Sequence, residues 1–309
     1  MNSKPEEDMN QVYNIIDNYC KKNNANFNYN RFVDAVIKND NKEIEKTKVY
    51  ELLIGMLSDN KKRFKEIIPV DTCLFRSRIT DVVKDVDKFN TDGENLFGLD
   101  KFESKEPPLH ISKNGRSNLA GTSYLYVSKD KYTAISECKP LRESYLSVAE
   151  FNTVKELKIF NLSDDDLLDE LKSYEEEYYS VKHLVELVMR TFYCSVYDID
   201  FGYKVSQYIT ELVRKHGYDG IAYRSFITNG KNYTIFNCCE SNISFVNSEI
   251  VQVLAQHLDV VSLNDGKNIS NPNTFHLPPE KQIIDFKNFL VDSVKMFKKH
   301  EDMEEKDNG

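Results

Sequence analysis

The stretch from Gly115 to Pro140 constrains this chain more than any other. A polar, glycine-bracketed loop, Gly115-Arg116-Ser117-Asn118-Leu119-Ala120-Gly121, leads into the alternating Thr122-Ser123-Tyr124-Leu125-Tyr126-Val127-Ser128. Lys129-Asp130-Lys131-Tyr132-Thr133-Ala134-Ile135-Ser136-Glu137-Cys138-Lys139-Pro140 follows. The pattern predicts a loop, a short strand and a turn into a helix, with Glu137 in its first turn. An arginine able to grip phosphate, a strand tyrosine and a glutamate one element later are parts suited to handling a nucleotide.

Length and composition narrow the rest. A chain of 309 residues with 40% hydrophobic residues can bury a full core, as one large domain or two unequal ones. A net charge of −9 argues against a general nucleic-acid binder, because neutralising phosphates takes a basic surface. The cysteines (Cys20, Cys73, Cys138, Cys194, Cys238, Cys239) show neither CxxC pairing nor zinc spacing, and adjacent Cys238-Cys239 is a poor start for a disulfide framework. They are expected as reduced thiols in a cytoplasm. The N-terminus lacks the apolar run of a signal peptide, and no window approaches the roughly 20 apolar residues of a membrane helix. His110, His183, His216, His257, His276 and His300 lack ligand spacing, so no metal is expected.

Along the chain, apolar stripes at helical spacing occur at Val12, Ile15, Ile16 and Tyr19, at Phe32, Val33, Val36 and Ile37, and at Val49, Leu52, Leu53, Met56 and Leu57. The third is expected to run on towards Phe64 and to end at Pro69. Residues 1–69 thus read as a small helical module suited to packing or dimerisation. Residues 70–265 read as the main domain. It opens with a strand at Cys73–Ile79 that sets Phe75, Ser77 and Ile79 on one face and Leu74, Arg76 and Arg78 on the other. Residues 86–114 read as an irregular connection. Strands are expected at Leu146–Phe151 and Leu157–Phe160, and a helix after Ser163. Two further helices carry Leu184 to Phe192 and Val205 to Val213, the second closed by Gly217. A hairpin joins Ile221–Ser225 to Tyr233–Asn237, and strands follow at Ile243–Val246, Val251–Leu254 and His257–Leu263. Residues 266–309 hold a loop, an amphipathic helix from Ile283 to Phe297 and an acidic tail expected to be disordered.

Arg76, Arg116, Tyr126, Glu137 and Ser225 stand beside strands or turns, and each has an ordinary structural reading. An arginine pairs with a surface acid, a strand tyrosine packs on a face, a first-turn glutamate favours the helix dipole, and a strand-end serine caps a turn.

Taken together, they resemble the RES-domain family, named for an arginine, a glutamate and a serine. The resemblance runs from about Val70 to Asn237. It lies in Leu74-Phe75-Arg76-Ser77-Arg78-Ile79, Gly115-Arg116-Ser117-Asn118 through Gly121, Tyr124-Leu125-Tyr126 and Thr133-Ala134-Ile135-Ser136-Glu137. It continues in Gly217-Tyr218-Asp219-Gly220-Ile221-Ala222-Tyr223-Arg224-Ser225, then Asn232 and Phe236. Arg76, Glu137 and Ser225 match the name-giving positions. Leu119 stands where many relatives carry proline, and Ser117 where short members carry an aromatic. Neither departure removes a functional group.

The resemblance implies an α+β, ADP-ribosyltransferase-like split β-sheet core with flanking helices, here preceded by the helical module. It implies NAD as substrate rather than cofactor and cleavage of the nicotinamide–ribose bond by water or inorganic phosphate. Protein ADP-ribosylation is the alternative within the family, and a non-catalytic nucleotide-binding or protein-interaction module the alternative outside it. Glu137 would lie beside the ribose, Arg76 and Arg116 on the pyrophosphate and Tyr126 on the leaving ring. Ser225 would bond the nicotinamide amide or a phosphate, with Arg78 and Asn232 as further candidates. An antitoxin or other regulatory protein and a second copy of the chain are the protein partners it leaves open. No GxGxxG follows a strand, which disfavours a Rossmann hydride-transfer enzyme.

Overall fold

A computed structural model of the protein describes residues 24–58, 63–82, 84–93, 95–163, 178–193, 203–254, 260–261, 268–269, 287–288, 290–295 and 298. The helix expected at Val12–Tyr19, the one expected after Ser163 and the acidic tail lie outside these residues. The chain divides into two compact units. One comprises Met1–Thr72, Glu106–Tyr126 and Thr153–Asn242, the other Cys73–Lys105, Val127–Asn152 and Ile243–Gly309.

The first unit opens with helices α1 (24–37), α2 (Asn41–Glu45) and α3 (Lys48–Leu57). Thr47 caps α3 by accepting the Tyr50 N–H on its hydroxyl at 3.2 Å. The α3 stripe behaves as its spacing predicts, burying Val49, Leu53, Met56 and Leu57. The helix does not reach Phe64, however. It ends at Leu57 with Ser58 as its cap, and Lys65–Ile68 forms a strand, β1. The reason is tertiary: β1 pairs antiparallel with β7 (Leu157–Leu162) from Lys65↔Phe160 to Ile68↔Leu157, and the Phe64 ring meets the Phe160 ring at 6.2 Å.

Strand β7 runs parallel to β8 (Gly220–Arg224), which turns back antiparallel onto β9 (Lys231–Ile235). A parallel step needs a crossover, and helices α6 (Tyr178–Tyr193) and α7 (Lys204–Lys215) lie between the two strands in sequence. Gly217, at φ +74°, takes the left-handed position after the α7 cap His216. The core joins Phe160, Leu162, Ile221 and Tyr223 from the strands to Leu184, Val188, Phe192, Ile209 and Val213 from α6 and α7. Phe32, Val36, Ile44, Val49 and Leu53 belong to the same cluster, so the N-terminal helices share a core with the sheet. Fully burying each large apolar side chain contributes about 1.5–3 kcal/mol.

In the second unit β2 (Cys73–Thr80) pairs antiparallel with β6 (Tyr145–Thr153), from Cys73↔Asn152 to Thr80↔Tyr145. Phe75 of β2 also pairs with Ser128 of β5 (Leu125–Ser128). On the other edge of β6 lies β10 (Ile243–Gln252), one continuous strand where two were expected. Residues 86–114 contain the short hairpin of β3 (Asn90–Asp92) and β4 (Asn95–Phe97) and the single-turn helix α4 (Lys101–Ser104). Helix α5 (Lys131–Glu137) starts on the Asp130 cap. Leu290 and Val294, one turn apart on α8 (290–295), complete a core with Val82, Phe89 and Leu99. Val260–Val261 pairs with Asn268–Ile269 as β11 and β12. The α+β class therefore holds, with helices around sheet strands. Among the described residues no helix is long and apolar enough to cross a membrane.

Candidate functional site

In the first unit the Gly115–Gly121 loop is fastened from several directions. Gly115 N–H donates to the Asn118 carbonyl at 2.9 Å, closing a tight turn around Arg116 and Ser117. The buried Asn118 amide nitrogen donates to the carbonyls of Lys113, Leu119 and Thr122 at 2.8–3.1 Å, and to Ser112 Oγ at 3.2 Å. Its carbonyl oxygen accepts the Tyr126 hydroxyl at 2.7 Å. The same hydroxyl accepts the Ser117 N–H at 3.0 Å. Ser117 Oγ meets Thr234 Oγ1 of β9 at 3.1 Å, docking the loop on the sheet. Burial pushes the Tyr126 phenol above the ordinary tyrosine range, Tyr223 adds to the rise, and the Ser117 hydrogen bonds partly offset it. Tyr126 is therefore neutral across the physiological range.

Arg116 rides on this turn. One guanidinium nitrogen donates to the Thr191 carbonyl at 3.3 Å, in the last turn of α6, where carbonyls lack intrahelical partners. A cation there is favoured by the helix dipole. The guanidinium also lies over the Tyr203 ring, 5.3 Å from its centroid.

Ser225 and Asn232 come from the β8–β9 hairpin. Ser225 N–H donates to Gly230 O at 2.8 Å, and Ser225 Oγ accepts the N–H groups of Ile227 and Thr228 at 3.2 and 3.0 Å. The serine thus shapes its own turn, the structural role open to a strand-end serine. Asn232 pairs with Tyr223 across the hairpin and shares a face of β9 with Thr234, which holds the loop. Within this unit the fold puts Arg116, Tyr126 and Asn232 around one loop-bearing sheet face, with buried Ser225 at the strand end.

In the second unit Arg76, Arg78 and Glu137 gather about Cys138. Arg76 faces Ala149 across β2–β6. Arg78 donates to the Lys105 carbonyl at 2.7 Å, and burial pushes its guanidinium down from its ordinary value while Glu103 pulls it back up. The Cys138 thiol donates to Ser77 O at 3.2 Å. Burial pushes that thiol up; the Ser77 hydrogen bond and the charges of Arg76 and Arg78 oppose the rise, and Glu137 adds to it. Glu137 itself is exposed and occupies the last position of α5, not the first turn expected from its spacing. Asp130 caps the helix one full turn earlier than that expectation required. A carboxylate at a helix C-terminus meets the negative end of the dipole, so its place is not a local stability preference.

The loop has further fasteners that no local sequence signal marks. Ser206 and Gln207 of α7 bond its backbone, and Tyr203 lies under Arg116. Polar residues in the first turn of an amphipathic helix carry no signal that separates a solvated face from a buried contact. Among the described residues, no group of three or more His, Cys, Asp or Glu side chains converges as metal ligands, and Cys73, Cys138, Cys238 and Cys239 are free of disulfides.

No curated protein matches the chain. Among solved structures it is similar to a chain of the M. tuberculosis MbcT–MbcA toxin–antitoxin complex at 10% identity, over 66% of this chain and 94% of that one, with a TM-score of 0.37. A family model for the RES domain matches residues 100–255. That span takes in Arg116, Tyr126, Glu137, Ser225 and Asn232 and leaves Arg76 and Arg78 before it. With half of its length covered by that match, the chain belongs to the RES-domain family.

Proposed function

We propose that this protein is a toxin-like enzyme that binds NAD and breaks the bond between nicotinamide and ribose. Membership of the RES-domain family carries the reading, and the matched span includes Arg116, Tyr126, Glu137 and Ser225. The construction of the Arg116 loop supports it. A cationic side chain on a turn fastened by buried hydrogen bonds is preorganised, and a guanidinium suits the oxygens of a pyrophosphate.

In the proposed reaction the C1′–N bond breaks and its electron pair passes to the ring nitrogen, so the pyridinium leaves as neutral nicotinamide. Positive charge develops on the ribose, and the Glu137 carboxylate stabilises it while accepting hydrogen bonds from ribose hydroxyls. A water oxygen then bonds C1′ and releases a proton, giving ADP-ribose, or a phosphate oxygen does so, giving ADP-ribose-1″-phosphate. Arg76 and Arg116 are the proposed phosphate donors, and Tyr126 is the residue proposed for the leaving ring. Ser225, Arg78 and Asn232 bind the remaining polar groups. The free thiols suit a reducing cytoplasm. An enzyme that drains NAD needs restraint, so a regulatory protein such as an antitoxin is proposed as partner.

Incubating purified protein with NAD, with and without phosphate, tests the reading. Nicotinamide release accompanied by ADP-ribose or its phosphate ester supports it. Label transferred to protein would redirect it to ADP-ribosylation, and undiminished NAD in both arms would sink it.

A further inference from the structure

The first turn of α7 carries the side chains that take hold of the Arg116 loop's backbone. Gln207 Nε2 donates to the Gly115 carbonyl at 2.8 Å and to the Asn118 carbonyl at 3.0 Å. Ser206 Oγ lies 2.5 Å from the Arg116 carbonyl. Ser206 is fully buried and Gln207 is 8% exposed, so neither is a solvated polar residue. Burying a side-chain amide costs free energy unless hydrogen bonds compensate, and here one NH2 group answers two carbonyls of the same turn. Tyr203, just before the helix, lies under the Arg116 guanidinium. One turn of helix therefore touches both the backbone of the loop and its charged side chain.

The direction of these bonds matters for an anionic ligand. A carbonyl oxygen carries partial negative charge and repels phosphate. Gly115, Arg116 and Asn118 all have their carbonyl oxygens drawn onto α7, so none of the three is set against an anion held by the Arg116 side chain.

We propose that Gln207, assisted by Ser206, is a positioning residue for binding a phosphate-bearing substrate: it pins the loop's carbonyls to α7 and so fixes the orientation of Arg116. The identity of that substrate rests on the NAD reading; the pinning of the loop does not. Glutamine suits the task because its nitrogen supplies two donors. Leucine supplies none, and glutamate donates only when protonated.

The test compares the full-length wild type with Gln207→Leu, Gln207→Glu and Ser206→Ala. Three quantities are measured: backbone amide exchange over residues 115–121 without ligand, thermal melting, and KM and kcat for NAD. For Gln207→Leu the expected result is faster exchange in the loop and a KM raised about tenfold with kcat nearly unchanged, since a lost hydrogen bond of ~1.4 kcal/mol is a factor of ten. Ser206→Ala, the milder change, should move both in the same direction. Gln207→Glu should recover towards wild type as pH falls and its carboxyl regains a donor. An unchanged KM with only melting or kcat affected would overturn the proposal, as would loop exchange no faster than wild type. Should wild-type protein leave NAD intact, the NAD reading falls. Loop exchange then decides the pinning alone, with faster exchange upholding it and unchanged exchange rejecting it.

Discussion

The Tyr126 hydroxyl donates to Asn118 Oδ1 at 2.7 Å and accepts the Ser117 N–H at 3.0 Å, so one phenol on the β5 strand closes the Arg116 loop. Tyr126→Phe removes both bonds while keeping the ring. Leaving a buried donor or acceptor unpaired costs about 1–3 kcal/mol, and urea denaturation should show a loss of that order. With the ring retained, turnover at saturating NAD should fall less than affinity. The folded phenol titrates above its unfolded value, so its contribution is complete at neutral pH and fades only as pH rises through the raised folded value. Stability of the wild type should therefore show no Tyr126-linked change between pH 6 and 8, as urea midpoints across that range will show.

Glu137 should separate activity from folding. It is exposed at the C-terminal end of α5, where a carboxylate opposes the helix dipole. Glu137→Gln should abolish NAD loss and any growth arrest while leaving the folding free energy in urea denaturation equal or slightly higher, by roughly 0.3–1 kcal/mol. Undiminished turnover in this variant removes the glutamate from the mechanism.

Gly115 has no room for a side chain. A Cβ there would collide with Asn118 Oδ1 and come within 2.9 Å of the Tyr126 hydroxyl, the two atoms that hold each other. Gly115→Ala should therefore loosen the loop, seen as proteolytic nicking near residue 116 and a raised KM for NAD. The same change at Gly55, exposed on α3 where a Cβ meets nothing within 4 Å, should show neither effect.

Cys73 should be a slow thiol. Burial and a hydrogen bond to Glu150 push it up from 9.0 to about 11, with Lys131 opposing. Iodoacetamide at pH 8 should label exposed Cys239 well before Cys73. Because the folded value lies above the unfolded one, this thiol stabilises the fold fully below about pH 9 and loses that effect as pH climbs towards 11. Cys73→Ser should remove this share of the alkaline loss, measured by thermal melts from pH 8 to 11.

Much of the architecture was readable because apolar spacing reports burial. The α3 stripe, the α7 pattern and the glycine after it appear where their periods place them, and strands β2 and β6 form where expected, although Ile79 of β2 is exposed. Short elements were not. Lys65–Ile68 is too brief to show a period, and its strand exists through pairing with β7. Strand β10 reads as two in the sequence because the polar run Asn247-Ser248-Glu249 interrupts its apolar residues. The helix carrying Glu137 is present but begins earlier than its pattern suggests, because Asp130 rather than a later residue caps it.

For the candidate site, the order of residues by itself determined which chemical groups this chain can offer: the arginine on a glycine-bracketed turn, the strand tyrosine, the lone glutamate and the hairpin serine. Those are properties of residue type and neighbouring turn chemistry, which are local. Only the tertiary structure decided what each group touches. It turned Tyr126 and Ser225 into residues that hold turns together, set Glu137 at the unfavourable end of its helix, and brought Gln207 from α7 onto a loop about 90 residues away. Such contacts depend on hydrogen-bond geometry between distant segments, and no local period encodes that geometry.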